Sequence, residues 1–149
     1  MATLKVNVRP AFLTPSMEAG RDFVMRGIAG NVVMLNLLRL RDMADYSETP
    51  RLAPDAPISG REAYDRYIAH TLPFLEAGGG SLDLMAEGGS FLIGPQDARW
   101  DLVLLVRHKD VATFLAFETD TAYLEGIGHR TAAIEDSRLL PLSVIPIQG

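Results

Sequence analysis

The histidine and arginine at positions 129 and 130 are the side chains in this chain best suited to acid–base chemistry. His129 follows the segment Gly126-Ile127-Gly128 and directly precedes Arg130. An imidazole changes charge near neutral pH, and a guanidinium is a good ligand for anions. We therefore interpret His129 as the candidate proton-transfer residue and Arg130 as the candidate anion ligand. Helix capping and salt bridging are the alternative roles for this pair.

A second candidate base lies at the start of an apolar run. Trp100 and Asp101 precede Leu102-Val103-Leu104-Leu105-Val106. Asp101 would act as a general base if burial raised its pKa, and pairing with an arginine near the strand end is the alternative. Strict alternation along a strand places Trp100 on one face with Leu102 and Asp101 on the other. Trp100 is interpreted as core or as the wall of a pocket.

Three further polar side chains are candidate ligand-binding residues. Asn36 interrupts an apolar run over 32–40, where its amide would meet a ligand carbonyl or hydroxyl or would tie down a neighbouring loop. Tyr64 and Tyr67 lie three residues apart on the inward side of a predicted helix, which suits either a pocket wall or plain core packing. A buried polar group must find a partner, because leaving it unpaired costs roughly 1–3 kcal/mol.

The other two histidines predict no site. His70 is interpreted as a ring packed beside Tyr67 and Phe74, and His108 as an exposed residue after a strand. No two histidines have the spacing of paired metal ligands, and cysteine is absent. We therefore expect no metal site.

The elements that must position these residues follow from patterns of apolar residues. Two runs, 32–40 and 99–107, carry apolar residues at both odd and even positions, which is typical of strands buried on both faces. A capping box, Ser59 with Glu62, begins a helix that runs to about Ala77. The remaining expectations are a strand over 81–87 continued at 91–93, a helix from Asp110 to about Phe117, one further helical turn over 130–135 and a strand over 138–145.

The predicted order is strand, helix, strand, strand, helix, strand. This is the split βαβ pattern of a ferredoxin-like α+β fold, βαββαβ, with a four-stranded antiparallel sheet. Residues 30–149 form this domain, and residues 1–29 form an N-terminal extension with an extra helix capped by Thr14. The stretch 43–57 holds three prolines and is a long loop of the kind that covers a site or is mobile.

The two-sided apolar strands also predict a partner. The helices fall on one face of such a sheet, so the other face is left bare. The simplest cover is the same face of a second copy around a two-fold axis. We therefore expect a homodimer that forms through the sheet.

Composition excludes several classes of function. Hydrophobic residues make up 48% of the chain, charged residues 22%, and the formal net charge is −5 without any basic run. Nucleic acid is therefore an unlikely partner, because such binding depends on neutralising phosphates. No run reaches the roughly 18 apolar residues of a membrane helix, and the N-terminus has no signal-peptide pattern. We expect neither a membrane partner nor export, and place the protein in the cytoplasm.

Four parts of the chain together resemble the family called domain of unknown function 1330. They are Tyr64-x-x-Tyr67, Gly78-Gly79, Trp100-Asp101-Leu102-Val103, and the segment from Tyr123 through His129-Arg130 to Ser137-Arg138-Leu139. The resemblance spans roughly residues 30–145. It implies a subunit of the dimeric α/β-barrel superfamily, which includes cofactor-free monooxygenases, lactone isomerases and haem enzymes. Pockets in that superfamily tend to lie between sheet and helices, whereas the family itself has no settled activity.

These observations predict a small organic ligand bound between the helix at 59–77 and the sheet, beneath the 43–57 loop. As an enzyme, the protein would be a cofactor-free oxidoreductase or isomerase in which His129 moves a proton and Arg130 and Asn36 hold an oxyanion. The alternative is a non-catalytic ligand-binding or structural dimeric module. An apolar cavity of a few hundred Å³ would favour a site, and an interior filled with side chains would favour the module.

Overall fold

The four strands form one sheet, and the helices that follow its first and third strands pack against one face of it. The computed structural model describes residues 11–147, so the first ten residues of the predicted extension and the last two of the predicted domain lie outside the description. The elements are α1 (Met17–Met25), β1 (Val32–Leu40), a 3-10 turn (Pro50–Leu52), α2 (Gly60–Ala77), β2 (Ser81–Ser90), β3 (Arg99–His108), α3 (Val111–Glu118), α4 (Thr121–Leu124), α5 (Ile127–Ala133) and β4 (Ile134–Ser143).

The sheet has the strand order β2-β3-β1-β4, and every neighbouring pair is antiparallel. The two apolar runs are β1 and β3, and they are the central pair. In this register Asn36 lies opposite Leu104 on one side and Leu139 on the other. The predicted ferredoxin-like α+β fold is confirmed.

Helix α2 begins where its sequence predicts. The Ser59 hydroxyl accepts a hydrogen bond from the Glu62 N–H, and the Glu62 carboxylate accepts one from the Ser59 N–H. This capping box satisfies two donors at the start of the helix. Pro73 lies inside the helix without ending it before Ala77.

The helices and the sheet enclose one main core. Its buried members come from α2 and from strands β1, β3 and β4. They include Leu38, Tyr64, Leu102, Leu104 and Ile134. A smaller cluster forms where Phe23 of α1 packs edge-to-face on Phe114 of α3, with ring centroids 5.7 Å apart. The extra N-terminal helix therefore docks through Phe23, whereas Met17 is almost fully exposed.

Several local expectations are wrong. Helix α1 is capped by Ser16, which accepts from the Ala19 N–H, so its start is two residues later than Thr14 predicts. Residues 91–93 leave the sheet, because β2 ends at Ser90. Strand β4 begins directly after α5, at Ile134, and ends at Ser143.

His108 is buried rather than exposed, with 3% of its surface accessible. Its ring packs against the rings of Phe114 and Phe117, at centroid distances of 4.9 and 5.3 Å. Loss of solvent lowers the pKa of His108 to about 4, so the imidazole is neutral at physiological pH. From the sequence alone, a polar residue at the end of a strand gave no indication that His108 packs in the interior.

The outer face of the sheet, away from the helices, is apolar. Val33, Leu35 and Leu37 of β1 lie on it opposite Arg107, Leu105 and Val103 of β3. Leu84 of β2 and Leu140 of β4 are 43% and 52% exposed there. The β2–β3 turn adds Leu92 and Ile93, which are almost entirely exposed. In the part of the chain described, no helix covers this face.

Gly60 allows the N-terminus of α2 to approach the end of β1. A Cβ at this position would overlap the carbonyl oxygen of Arg41 and would lie 2.9 Å from that of Ala133. We predict that Gly60→Ala lowers the free energy of unfolding by about 2 kcal/mol or more, since both obstacles are backbone. Gly20→Ala is the matched control, because nothing lies within 4 Å of its Cβ. We expect the control to gain up to about 1 kcal/mol of helix propensity in urea unfolding. Equal effects of the two substitutions would contradict the close approach.

Candidate functional site

His129 forms a hydrogen-bonded pair with Tyr46. The Tyr46 hydroxyl and His129 Nδ1 are 2.8 Å apart, and the two rings meet edge-to-face with centroids 5.6 Å apart. His129 lies within α5 and is half-buried, whereas Tyr46 comes from the proline-containing loop and is buried. The pair thus joins a helix to a loop that is distant in sequence.

The 43–57 loop is held against α5 as a strap. The Asp45 N–H donates to the carbonyl of Ala132 at 2.9 Å, and the Arg51 guanidinium donates to the carbonyl of Glu125 at 3.1 Å. Thr49 lies so close to Gly128 that a Cβ on this residue would overlap the threonine hydroxyl. Gly128 is therefore required for close packing, and the strap holds Tyr46 beside His129.

The surroundings of His129 favour its neutral form. Burial is the main cause that lowers the pKa of His129, and the positive charges of Arg66 and Arg51 lower it further. Burial also raises the pKa of Tyr46. At neutral pH the pair therefore consists of an uncharged imidazole and an uncharged phenol, which is the state a general base needs before reaction.

The predicted tyrosines lie in the core. The hydroxyls of Tyr67 and Tyr123 are 2.6 Å apart, and the rings of Tyr64 and Tyr67 pack with centroids 5.4 Å apart. Burial raises the pKa of both Tyr64 and Tyr123 well above the ordinary tyrosine value. His70 Nε2 lies 3.0 Å from the Ala122 carbonyl oxygen, to which it donates. The Tyr67 and Tyr123 hydroxyls therefore satisfy each other within the packed interior, and the Tyr64 ring packs beside them.

Arg130 is directed away from its neighbour. Its guanidinium donates to the carbonyl of Leu13 at 3.0 Å, which ties α5 to the segment before α1. Burial raises the pKa of Glu118, and the charge of Arg130 partly offsets that rise. Adjacent positions on a helix are about 100° apart, so His129 and Arg130 face different surroundings.

Asp101 and Asn36 bind other parts of the chain. The Asp101 carboxylate forms an ion pair with Arg99 at 2.9 Å and accepts from the Leu40 N–H at 2.8 Å. This is the alternative arrangement that the sequence left open for Asp101. The Asn36 amide donates to the carbonyl of Met34 at 3.2 Å, within its own strand.

Trp100 lies on the outer face, contrary to strict alternation from Leu102. The guanidinium groups of Arg39 and Arg138 lie 5.2 and 5.0 Å from the centre of its ring. Trp100 also lines a groove of about 280 Å³ together with Leu37 and Val103, which belong to the outer face. The alternation therefore breaks at the start of β3, where the ring stacks with one arginine from β1 and one from β4.

The structure thus brings together two groups of residues and leaves others apart. Tyr64 and Tyr67 meet in the core, and His129 meets Tyr46, which the sequence did not single out. A tyrosine in a proline-containing loop carries no periodic signal, so only the folded chain shows its role. The space predicted to hold a ligand between α2 and the sheet is occupied by Tyr64, Leu102, Leu104 and their neighbours.

The pKa of His129 gives a direct test of this site. We predict that His129 titrates below the ordinary value of 6.5 and that Arg66→Gln raises its pKa, because a positive charge that opposes protonation is removed. NMR titration of the imidazole resonances measures both values. Arg21→Gln, on exposed helix α1, is the control and leaves the pKa in place. An unchanged value in the Arg66 variant would contradict the electrostatic contribution.

Comparison with known proteins gives a relative of this chain among solved structures. No family model and no curated protein matches it. The RPA0582 protein of unknown function from Rhodopseudomonas palustris is 34% identical, with 93% of this chain and 100% of that chain covered and a TM-score of 0.80. A methylated form of RPA0582 matches at 34% identity, with 91% and 96% covered and a TM-score of 0.79.

A more distant match shows the fold alone. A dimeric ferredoxin-like protein of unknown function from Jannaschia sp. CCS1 is 12% identical, with 77% of this chain and 100% of that chain covered and a TM-score of 0.50. The resemblance to domain of unknown function 1330 is not confirmed, because no family model matches. The identity to the Rhodopseudomonas protein, in contrast, extends over nearly the full length of both chains, and this chain belongs to the family of RPA0582.

Proposed function

We propose that this protein isomerises a small organic molecule by proton transfer at His129, without a cofactor. The observation that carries the proposal is the 2.8 Å contact between Tyr46 and His129 Nδ1. With the proton on Nδ1, that N–H donates to the tyrosine oxygen, and the lone pair on Nε2 is free to accept a proton. Nε2 forms no hydrogen bond with any residue in the range 11–147.

The reaction that fits these groups needs only a proton. Nε2 takes a proton from a carbon next to a carbonyl, the electron pair moves to the carbonyl oxygen, and the proton returns at another position. Arg66 supplies positive charge that favours the enolate. The Arg51 guanidinium already donates to the Glu125 carbonyl. Arg130 and Asn36 are left out of this role, because their side chains already bind the carbonyls of Leu13 and Met34.

Exchange of a carbon-bound proton tests the proposed chemistry. We predict that the protein speeds deuterium uptake at the central carbon of acetylacetone in D₂O, followed by NMR. His129→Ala should reduce the catalysed rate by 10²-fold or more, roughly the contribution of one general base. Tyr46→Phe should reduce it less, because the imidazole remains but loses its orienting partner. Arg21→Gln is the control and keeps the full rate.

The outcome is read together with a folding check. Circular dichroism and thermal unfolding show whether His129→Ala keeps the fold. A folded variant with the rate of the unaltered protein would exclude His129 as the base. Equal rates with and without the unaltered protein would exclude carbon-acid chemistry on this probe class and favour the second candidate function.

The second candidate is a non-catalytic dimeric module. The specific observation in its favour is the filled interior, where Tyr64, Tyr67 and Tyr123 satisfy or pack against one another. In that function the Tyr46–His129 bond fastens the strap to α5.

The membership in domain of unknown function 1330 and the cytoplasmic location stay predictions. None of the helices within residues 11–147 is long and apolar enough to span a membrane.

We also propose that two copies of the chain associate through the outer face of the sheet. Leu35, Leu37 and Leu105 lie at its centre, and Leu84 and Leu140 are exposed on the edge strands. An apolar face of this extent is costly in water, and an identical face around a two-fold axis removes it from solvent. The match to a dimeric protein of the same fold is consistent with this arrangement.

Leu105→Glu tests the interface. We predict that the unaltered protein sediments as a dimer at micromolar concentration and that the variant sediments as a monomer, because a carboxylate at the centre of the face would be buried without a partner. Met17→Glu, at a 95% exposed position on α1, is the control and keeps the dimer. A monomeric unaltered protein would exclude the interface.

A further inference from the structure

His70 has one ring nitrogen bound to the protein and one that is free. Its Nε2 lies 3.0 Å from the Ala122 carbonyl oxygen and 3.1 Å from that of Tyr123, both on α4. A carbonyl oxygen only accepts, so in the neutral ring Nε2 carries the proton and Nδ1 carries the lone pair. Within residues 11–147, Nδ1 forms no hydrogen bond and is not among the buried side-chain atoms that lack a partner. It therefore reaches solvent.

The ring of His70 lies beside His129. It fills the place of a side chain on Gly126, because a Cβ at that glycine would overlap the Cδ2 atom of His70. Gly126 is the N-cap of α5 and accepts a hydrogen bond from the His129 N–H at 3.1 Å. Positions three apart on a helix are neighbours, with Cβ atoms about 5–6 Å apart, and helical side chains lean toward the N-terminus. The imidazole of His129 therefore extends toward that of His70.

The free nitrogens of the two rings have the same character. Within residues 11–147, His129 Nε2 also lacks a hydrogen bond and is also not among the buried atoms without a partner. Both rings are half-buried, and each is oriented at its other nitrogen, by Tyr46 or by the α4 carbonyls. A proton on His70 would lower the pKa of His129, as expected for neighbouring rings. The site thus offers two separate lone pairs, each able to accept one proton.

Arg66 adds positive charge beside the two rings. It lies four residues before His70, so the two side chains share a face of α2. Its charge lowers the pKa of both His129 and Tyr46, and no carboxylate within residues 11–147 is among the causes of either shift. Positive charge of this kind stabilises a negative oxygen that forms near the rings.

We propose that His70 is a second proton-transfer residue of this site and that the substrate is an α-hydroxy aldehyde or ketone. His129 Nε2 moves the carbon-bound proton, and His70 Nδ1 moves the proton of the adjacent hydroxyl. Isomerisation of such a compound moves these two protons, and the site has one free base for each. The inference rests on the proton transfer proposed for His129 and names its substrate class.

The two transfers balance in protons and electrons. His129 takes a proton from the carbon that bears the hydroxyl, the C–H electron pair forms a carbon–carbon double bond, and the carbonyl electron pair moves to its oxygen. His70 takes the hydroxyl proton and passes it to that oxygen. The electron pair left on the first oxygen forms the new carbonyl, and the double-bond pair takes the proton from His129 at the other carbon. Both rings end neutral, and the reaction needs no oxidant or reductant.

Interconversion of dihydroxyacetone and glyceraldehyde, followed by NMR, tests the proposal. The unaltered protein should speed it and should also speed deuterium uptake by acetylacetone, which has no hydroxyl beside its carbonyls. His70→Gln keeps an N–H donor for the α4 carbonyls but has no basic nitrogen. We expect the ratio of the interconversion rate to the uptake rate to fall by about tenfold or more in this variant. Arg21→Gln is the control and keeps both rates.

A binding measurement on the unaltered protein covers the case in which His70→Gln does not fold. Dihydroxyacetone should shift the ¹⁵N resonance of His70 Nδ1, and the shift should saturate. Acetone has the carbonyl but no hydroxyl, so it should leave this resonance in place.

The possible failures separate the two proposals. Uptake by acetylacetone without interconversion of dihydroxyacetone would overturn the role of His70 and leave His129 as the base. The same holds for an unchanged ratio in folded His70→Gln, or for an Nδ1 resonance that responds equally to dihydroxyacetone and acetone. Absence of both reactions would overturn both proposals.

Discussion

The backbone junction at Arg41 fixes the relative positions of the elements around the proposed proton-transfer site. The Arg41 N–H donates to the carbonyl of Ala133 at 2.8 Å, and the Arg41 carbonyl faces Gly60, where no Cβ fits. Direct backbone contacts therefore join the end of β1, the start of α2 and the end of α5. The strap that carries Tyr46 leaves from this junction. Loss of the close approach would move the strap, and Tyr46 with it, relative to His129 on α5.

Packing explains why the candidate chemistry lies at the margins of the fold. The interior between helices and sheet is filled, and the polar groups placed there largely bind each other, as Tyr67 and Tyr123 do. Among residues 11–147, the buried side-chain atoms left without a partner are Arg41 Nε and Thr71 Oγ1. His129 is only half-buried, and Tyr46 holds one of its two nitrogens. The fold thus supplies a packed scaffold, and the candidate groups lie where its elements meet.

Local patterns predicted what local physics determines. The capping box at Ser59 and the Asp110 cap fix the starts of α2 and α3, and the two-sided apolar runs identify β1 and β3 as the central strands. Long-range packing was not visible in the same way. Gly126 and Gly128 precede His129 in the sequence without indicating their role, and in the structure they give room to the His70 ring and to Thr49. Tyr46 and the half-buried Arg41 carry no periodic signal, because their surroundings come from distant segments.

The outer face carries its own electrostatic arrangement, and this bears on whether it can be buried. Trp100 stacks between Arg39 and Arg138, and Asp136 pairs with both arginines, at 3.9 and 2.8 Å. Burial of two arginines without partners would cost more than the apolar area gains. The aromatic ring and the shared carboxylate lower that cost, because each cation keeps an interaction when water leaves. A sheet face that combines a leucine-rich centre with cations already paired at its margin is therefore compatible with close contact between two copies.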